Sequence, residues 1–209
     1  DDALITNAPA QTDVGTAKQK IETAFGISLS DGETAALVAG VLTGETPSDE
    51  TGIKKLLFFS DKETAALLNL ALDEYSAETG LYAEFEQIVL SGGTLSCVMS
   101  VDMTKYTQSI PDWLKNIVSL KELRIQSVYT LTFEGSKIKA QNTSLTFGSL
   151  NEEDAEILTK MLEPLLGGKD LSAVASELFT AFINNLGTVG AEAGSPGIGG
   201  LSGHSVSVI

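Results

Sequence analysis

Arg124 is the only arginine in a chain of 209 residues, His204 the only histidine and Cys97 the only cysteine. Each shortage argues against a class of chemistry. Phosphate recognition depends on clustered lysine and arginine, and here 13 basic residues stand against 28 acidic ones, a formal charge of −15. That balance argues against nucleic acid as a partner and against electrostatic docking to an anionic membrane surface. One cysteine forms no intrachain disulfide, which suits the cytosol and equally the surface of an anaerobe. Metal sites usually draw on several His and Cys side chains, and the one of each in this chain lie far apart in sequence. A nucleophilic triad needs an orienting histidine, and His204 falls in a glycine-rich tail where it reads as a solvated bystander.

Other signatures are missing as well. The glycines of "GIGGLSG" (197–203) lack both the strand-turn-helix setting and the lysine of a phosphate loop. "SDGE" (30–33) is too short for a calcium loop. Aromatic residues make up only 6% of the chain, too few for the aromatic-lined cleft of a glycosidase, so Glu84 and Glu86 of "EFE" read as a solvated strand face. Cys97 alternates with Leu95 and Met99 and reads as a small buried hydrophobe rather than a nucleophile. No apolar run reaches the roughly eighteen residues of a membrane span. The expectation is a protein that is not an enzyme and carries no cofactor and no metal.

What the chain does have is a repeated phrase. "SDGETAAL" (30–37) and "SDKETAAL" (60–67) agree at seven of eight positions. Both contain the S-x-x-E capping box, in which the serine oxygen accepts the backbone N–H of the glutamate and the glutamate reaches back. Asp31 and Asp61 add negative charge where a helix dipole is positive. Capping explains Ser, Asp and Glu, and helix propensity explains Ala-Ala-Leu. Neither requires the same threonine twice, so a duplicated helical unit stays open beside two independent helix starts. "NEED" (151–154) is a third, degenerate version. Each full copy follows an apolar tetrapeptide, "GISL" or "LLFF".

Helical spacing runs through Val14, Ala17, Ile21, Ala24 and Phe25, with Gly26 placed to stop it, and again over 61–79. "TGETPSDETG" (43–52) is a polar loop. The period then changes to two. Leu95, Cys97, Met99, Val101 and Met103 share one side of a strand, with 81–90 as its partner through the "SGG" turn. Over 122–135, Leu123, Ile125, Tyr129, Leu131 and Phe133 alternate with Arg124, Gln126, Thr130 and Thr132, and 137–147 returns after "EGSK". Parity slips in that last strand, from Ile138 and Ala140 to Leu145 and Phe147, which predicts a β-bulge or bend near 141–144. Between the hairpins, 109–119 reads as a short amphipathic helix with Trp113, Leu114, Ile117 and Val118 on its apolar side. Helices follow at 152–166 and 171–186.

These signals predict an α+β fold: a four-stranded curved antiparallel sheet, two hairpins separated by a short helix, packed against N- and C-terminal helices. The predicted organisation is a flexible lead-in (1–13) and one domain (14–186), comprising a helical part (14–79), the sheet (81–147) and C-terminal helices (151–186). A glycine-rich tail (187–209) follows. Its "HSVSVI" alternates and is expected to add an edge strand, either to the sheet or to a neighbouring copy as a strand-swapped homodimer. The start, "DDALITNAPAQTD", looks like a stalk beyond a signal peptide or membrane anchor and places the expected location outside the cytoplasm, tethered to a bacterial surface.

The order of capped helix ("SDKETAALLNLAL"), strand pair, proline-containing helix ("SIPDWL"), second strand pair and helix resembles the YpmS-like group of membrane-anchored bacterial envelope proteins, over about 59–165. That resemblance implies an extracytoplasmic position, a curved sheet on helices and a groove for an apolar or polymeric envelope ligand, and it supplies no catalytic residue. Two functional expectations follow. The first is a non-catalytic surface module that contacts another envelope protein. The second is a carrier of a lipid or small apolar ligand, enclosed by Leu95, Met99, Tyr129 and Leu131 under a lid at 110–119 that carries Trp113 and Leu114.

Overall fold

In a computed structural model the described residues are 5, 7–42, 56–79, 82–91, 93–106, 121–134, 137–148, 150–165, 168–177, 179–180 and 205–208. Two helices come first, α1 (Gln11–Phe25) and α2 (Asp31–Leu42), followed by strand β1 (Leu56–Phe59) and helix α3 (Asp61–Thr79). Strands β2 (Ala83–Ser91) and β3 (Thr94–Asp102), a 3-10 turn (Met103–Tyr106), and strands β4 (Glu122–Glu134) and β5 (Lys137–Phe147) come next. Helix α4 (Glu152–Leu165), helical residues 171–177 and 179–180 (α5), and strand β6 (Ser205–Val208) complete the order. The class is α+β, with β2-β3-β4-β5 forming one antiparallel sheet in sequence order. The proposed helix at 109–119, with Trp113 and Leu114, and the loop at 43–52 lie outside the described residues.

The capping boxes form as the repeated phrase implies. Glu33 N donates to Ser30 Oγ at 3.2 Å while Ser30 N donates to Glu33 Oε2 at 2.7 Å. The second copy repeats both distances with Ser60 and Glu63. In the degenerate copy, Asp154 N donates to Asn151 Oδ1 and Asn151 Nδ2 donates to Asp154 Oδ2, both at 2.8 Å. The shared threonine has a packing reason: Thr34 and Thr64 are both buried in the first turn of their helices. The two copies differ in surroundings. Glu33 caps at the surface, whereas Glu63 is buried and also holds Lys20 Nζ of α1 at 2.7 Å.

Helix α1 starts at Gln11, three residues before the apolar spacing begins, because Asp13 Oδ2 accepts Ala10 N at 2.7 Å and fixes an earlier first turn. The lead-in is therefore shorter than 1–13. At the other end Gly26 adopts φ 67°, the left-handed cap that glycine accepts without a Cβ penalty. Strand β2 opens at Ala83 rather than at 81.

Two bulges hold the sheet's apolar residues on one face. Val128 pairs with Ser144 and Tyr129 with Asn142, leaving Thr143 as the extra residue. Ile138 and Ala140 thereby share a face with Leu145 and Phe147, the slip expected from sequence. Phe85 pairs with Met99 and Gln87 with Val98, so Glu86 is a second extra residue. It brings Phe85 onto the same face as Ile88 and Leu90. That face carries the core: Ile88, Leu95, Cys97, Tyr129, Leu131 and Ala140 pack with Ala17 and Ile21 of α1, Val38 of α2, Phe59, and Ala65, Leu67, Leu68 and Ala71 of α3. A second cluster joins Leu123 and Phe147 to Leu158 of α4. Burying each large aliphatic side chain contributes about 1.5–3 kcal/mol.

The tail strand β6 does not extend the four-stranded sheet. It pairs antiparallel with β1, Leu56 opposite Val208 through Phe59 opposite Ser205, as a separate two-stranded ribbon. The "LLFF" tetrapeptide is thus a strand.

Ser60→Ala is expected to lower stability by about 1 kcal/mol, the usual loss of a helix cap. Glu63→Gln should cost more than Glu33→Gln in urea unfolding, since only Glu63 is buried against a lysine. The Ser30 backbone N–H holds the Glu33 carboxyl below the ordinary carboxylate range. Its contribution is complete above that ordinary range and fades as pH falls through the lowered value, so Glu33→Gln should flatten the acid limb of the stability curve.

Candidate functional site

An open sheet leaves two edges of unpaired backbone groups. At the β2 edge, Asn69 of α3 acts as a substitute strand: its Nδ2 donates to Phe85 O at 2.9 Å and its Oδ1 accepts Phe85 N at 2.6 Å. This pins α3 beside the edge. On the polar face, Asn7 N donates to Gln87 Oε1 at 2.8 Å, which ties the segment before α1 to the same strand.

Between these fixed pieces lies an open cleft of about 720 Å³. The segment before α1 contributes Pro9, α1 itself Gln11 and Val14, and α3 Leu70, Asp73 and Ser76. Across from them stand Tyr82, Glu84, Ser100, Asp102 and Lys105, from the ends of β2 and β3 and the 3-10 turn. Lys105 Nζ sits 5.5 Å from the centre of the Tyr82 ring, a cation–π contact. Asp102 Oδ1 accepts the Thr104 hydroxyl and, at 3.0 Å, the Thr104 N–H. These bonds, the hydroxyl's first, hold the Asp102 carboxyl below its usual range. A carboxylate kept ionised is suited to attracting a cation and not to donating a proton. Among the described residues no cation is paired with Asp73 or Glu84, and no group of His, Cys, Asp and Glu is arranged to hold a metal ion.

The residues expected to enclose an apolar ligand lie elsewhere. Leu95, Tyr129 and Leu131 come together in the packed core at 4, 1 and 8% exposure. Met99 is half-buried between Phe85 and Ile125 in the sheet register. Neither this cleft nor a second one of about 510 Å³ between β5 and α4 is lined by any of the four. Trp113 and Leu114 are outside the described residues.

Around Tyr129 the core holds a line of polar groups. Its ring stacks on Phe179 of α5 at 4.2 Å between centroids. Cys97 Sγ and Ser127 Oγ are 3.0 Å apart, and Ser172 Oγ donates to Asn142 Oδ1 at 2.7 Å. Burial pushes the Tyr129 hydroxyl up to about 12 and the Cys97 thiol up to about 11, in each case against hydrogen bonding from Ser127. A thiol in that setting is not a nucleophile near neutral pH.

Of the two glutamates in "EFE", Glu84 is exposed and Glu86 is not solvated. Arg124 reaches across β3 above Ser100 and grips Glu86 with Nε 2.6 Å from Oε2 and Nη2 2.7 Å from Oε1. The cleft residues Asn69, Tyr82, Asp102 and Lys105 carried no motif. Asn69 alone left a trace, as the one polar residue inside "LLNLAL" (67–72).

Comparison with protein-family models, curated proteins and solved structures finds no match to this chain. The likeness to the YpmS-like group thus rests on the order of elements alone. No helix among the described residues is long and apolar enough to cross a membrane.

Asn69→Ala strips the Phe85 backbone of both partners and is expected to cost about 1–3 kcal/mol, with faster amide exchange at Phe85 as the local readout. Unchanged protection there would remove the edge-pinning role. For Cys97, whose ordinary value is 9.0, the raised thiol contributes stability in full below pH 9, and this is lost as pH climbs towards 11. Urea unfolding from pH 8 to 11 should therefore show a shallower alkaline loss in Cys97→Ser than in the native chain. The native thiol should also resist Ellman's reagent until the protein is unfolded.

Proposed function

We infer that the chain is a non-catalytic binding module of the bacterial envelope, working outside the cytoplasm, and that it docks another envelope component in the cleft between α3 and the β2–β3 end. The carrying observation is the wall of that cleft. Val14, Leu70 and Tyr82 offer apolar contact beside Asp73, Glu84 and Asp102, on a chain of formal charge −15. A surface of this kind favours an extended partner segment that presents basic side chains next to apolar ones. Charge complementarity would set its association rate and register more than its total affinity. The order of elements read from the sequence, which resembles that of the YpmS-like group, supports the location.

The same chemistry disfavours the carrier reading, which needs Leu95, Tyr129 and Leu131 to part from the helices that bury them. Native mass spectrometry of detergent-free protein is expected to give the bare polypeptide mass.

Capture of partners from a native envelope extract tests the docking reading. The variant Asp73→Lys/Glu84→Lys should lose most of the captured material, and native capture should weaken between 50 and 300 mM salt, about the range over which surface charges become screened. Thr130→Lys, exposed on the polar sheet face, should capture normally. Undiminished capture by the charge-reversed cleft would overturn the site, and no specific partner at any salt concentration would overturn the module.

A further inference from the structure

We propose that Ser205–Val208 is an exchangeable strand, which pairs in trans with Leu56–Phe59 of a second copy of this chain to give a two-fold dimer in which each copy donates and accepts. The proposal stands apart from the cleft, and three observations carry it.

First, β6 belongs to no larger sheet. Its only strand partner among the described residues is β1, and each strand is four residues long. A ribbon that short is marginal by its own hydrogen bonds, and the contact of β6 with α3 is one that the α3 of either copy offers, so the free strand can exchange into it. Second, the backbone register that accepts "SVSV" is a property of β1 and of the helices beside it. Phe59 is fully buried against the core, and α1 and α3 both touch β1. The acceptor is therefore fixed by the folded body, and it presents the same ladder to a strand from either copy. Third, 24 residues, 181–204, separate β6 from the last described helical residue. At about 3.3 Å per residue they span up to roughly 80 Å, twice the diameter of about 40 Å expected for a body of this size. The connection does not oblige β6 to pair with its own β1.

Exchange forms the same ribbon in cis and in trans, so the balance is set by concentration. A tether of this length gives an effective concentration of order millimolar. Cis pairing then dominates in dilute solution, and trans pairing grows as the protein itself approaches that range, as it would when crowded on a surface. Reciprocal exchange closes at two copies, because each copy's β6 fills the β1 of the other and no acceptor remains between them.

The test mixes two full-length variants. Leu57→Cys and Ser207→Cys occupy opposed positions in the ribbon, and the native Cys97 is buried and takes no part. Under mild oxidation the mixture should give a disulfide-linked heterodimer whose yield rises about tenfold or more between 10 µM and 1 mM protein. The collision control, Thr130→Cys with Ser207→Cys, should give little. In parallel, sedimentation of the native chain should show a mass rising towards the dimer over that range, while a chain ending at residue 204 stays monomeric. This second arm needs no substitution in β1 and covers the case in which Leu57→Cys fails to fold. A heterodimer yield no greater than the control, or concentration-dependent association that persists without 205–209, would overturn the proposal. Neither result bears on the cleft.

Discussion

Four antiparallel strands that do not close into a barrel leave outward rows of N–H and C=O groups along two edges, and the placement of the helices follows from how these rows are satisfied. At the β2 edge the Asn69 amide supplies one donor and one acceptor to Phe85, a miniature of strand pairing. At the β5 edge, hydroxyls do the same work. Ala140 N donates to Thr180 Oγ1, which donates back to Ala140 O, and Asn142 N donates to Ser176 Oγ. Ser172, Ser176 and Thr180 stand at i, i+4 and i+8, one stripe of a helix laid along the strand. Because α3 must keep Asn69 on Phe85, its next turns overhang the start of β2, and the cleft is the space left under that overhang.

The sheet was readable because one apolar face imposes a period of two, and where the period breaks something must absorb the extra residue. The slip between Ala140 and Leu145 called for a bulge or bend within 141–144, and the extra residue there is Thr143. The same signature was present in "AEFEQIVL", where Phe85 is odd-numbered and Ile88 and Leu90 are even, and Glu86 is the residue it points to. The alternation of "HSVSVI" marked a strand, but nothing marked Leu56–Phe59 as its partner. Backbone pairing between segments nearly 150 residues apart needs no side-chain complementarity, so "LLFF" and "SVSV" carry only their own propensities. The cleft was illegible for a related reason. Its residues come from the start of one helix, the middle of another and the ends of two strands, and only the packing of α1 and α3 brings them together.

The repeated phrase shows how equal local chemistry acquires unequal roles. Both boxes have the same bond lengths, yet one glutamate faces water and the other is buried beneath Lys20 and beside Phe59. The second copy therefore joins α1 to the β1–α3 corner, while the first caps its helix at the surface. Capping sets where each helix begins and is read locally. Tertiary packing sets how much a given cap matters, and no window of eight residues contains that information.

Scarcity of cations links the interior to the surface. Removing a carboxylate from water is costly unless a cation or donors compensate it. Buried Glu63 and half-buried Glu86 each take a cation, Lys20 and the chain's one arginine. Arg124 suits its place because the planar guanidinium spans the width of β3 over the small Ser100 and meets both oxygens of Glu86, which a lysine ammonium would not match. Its stem packs against Gly148, where a Cβ would lie 3.6 Å away, so the bulge at Glu86 and the end of β5 are braced by one side chain. Other lysines pair with exposed carboxylates, Asp31, Glu156 and Glu177, but 13 basic residues cannot serve 28 acidic ones. Among the described residues no cation reaches Asp73 or Glu84, and these acidic side chains beside apolar wall direct their field outward, towards whatever positive group approaches.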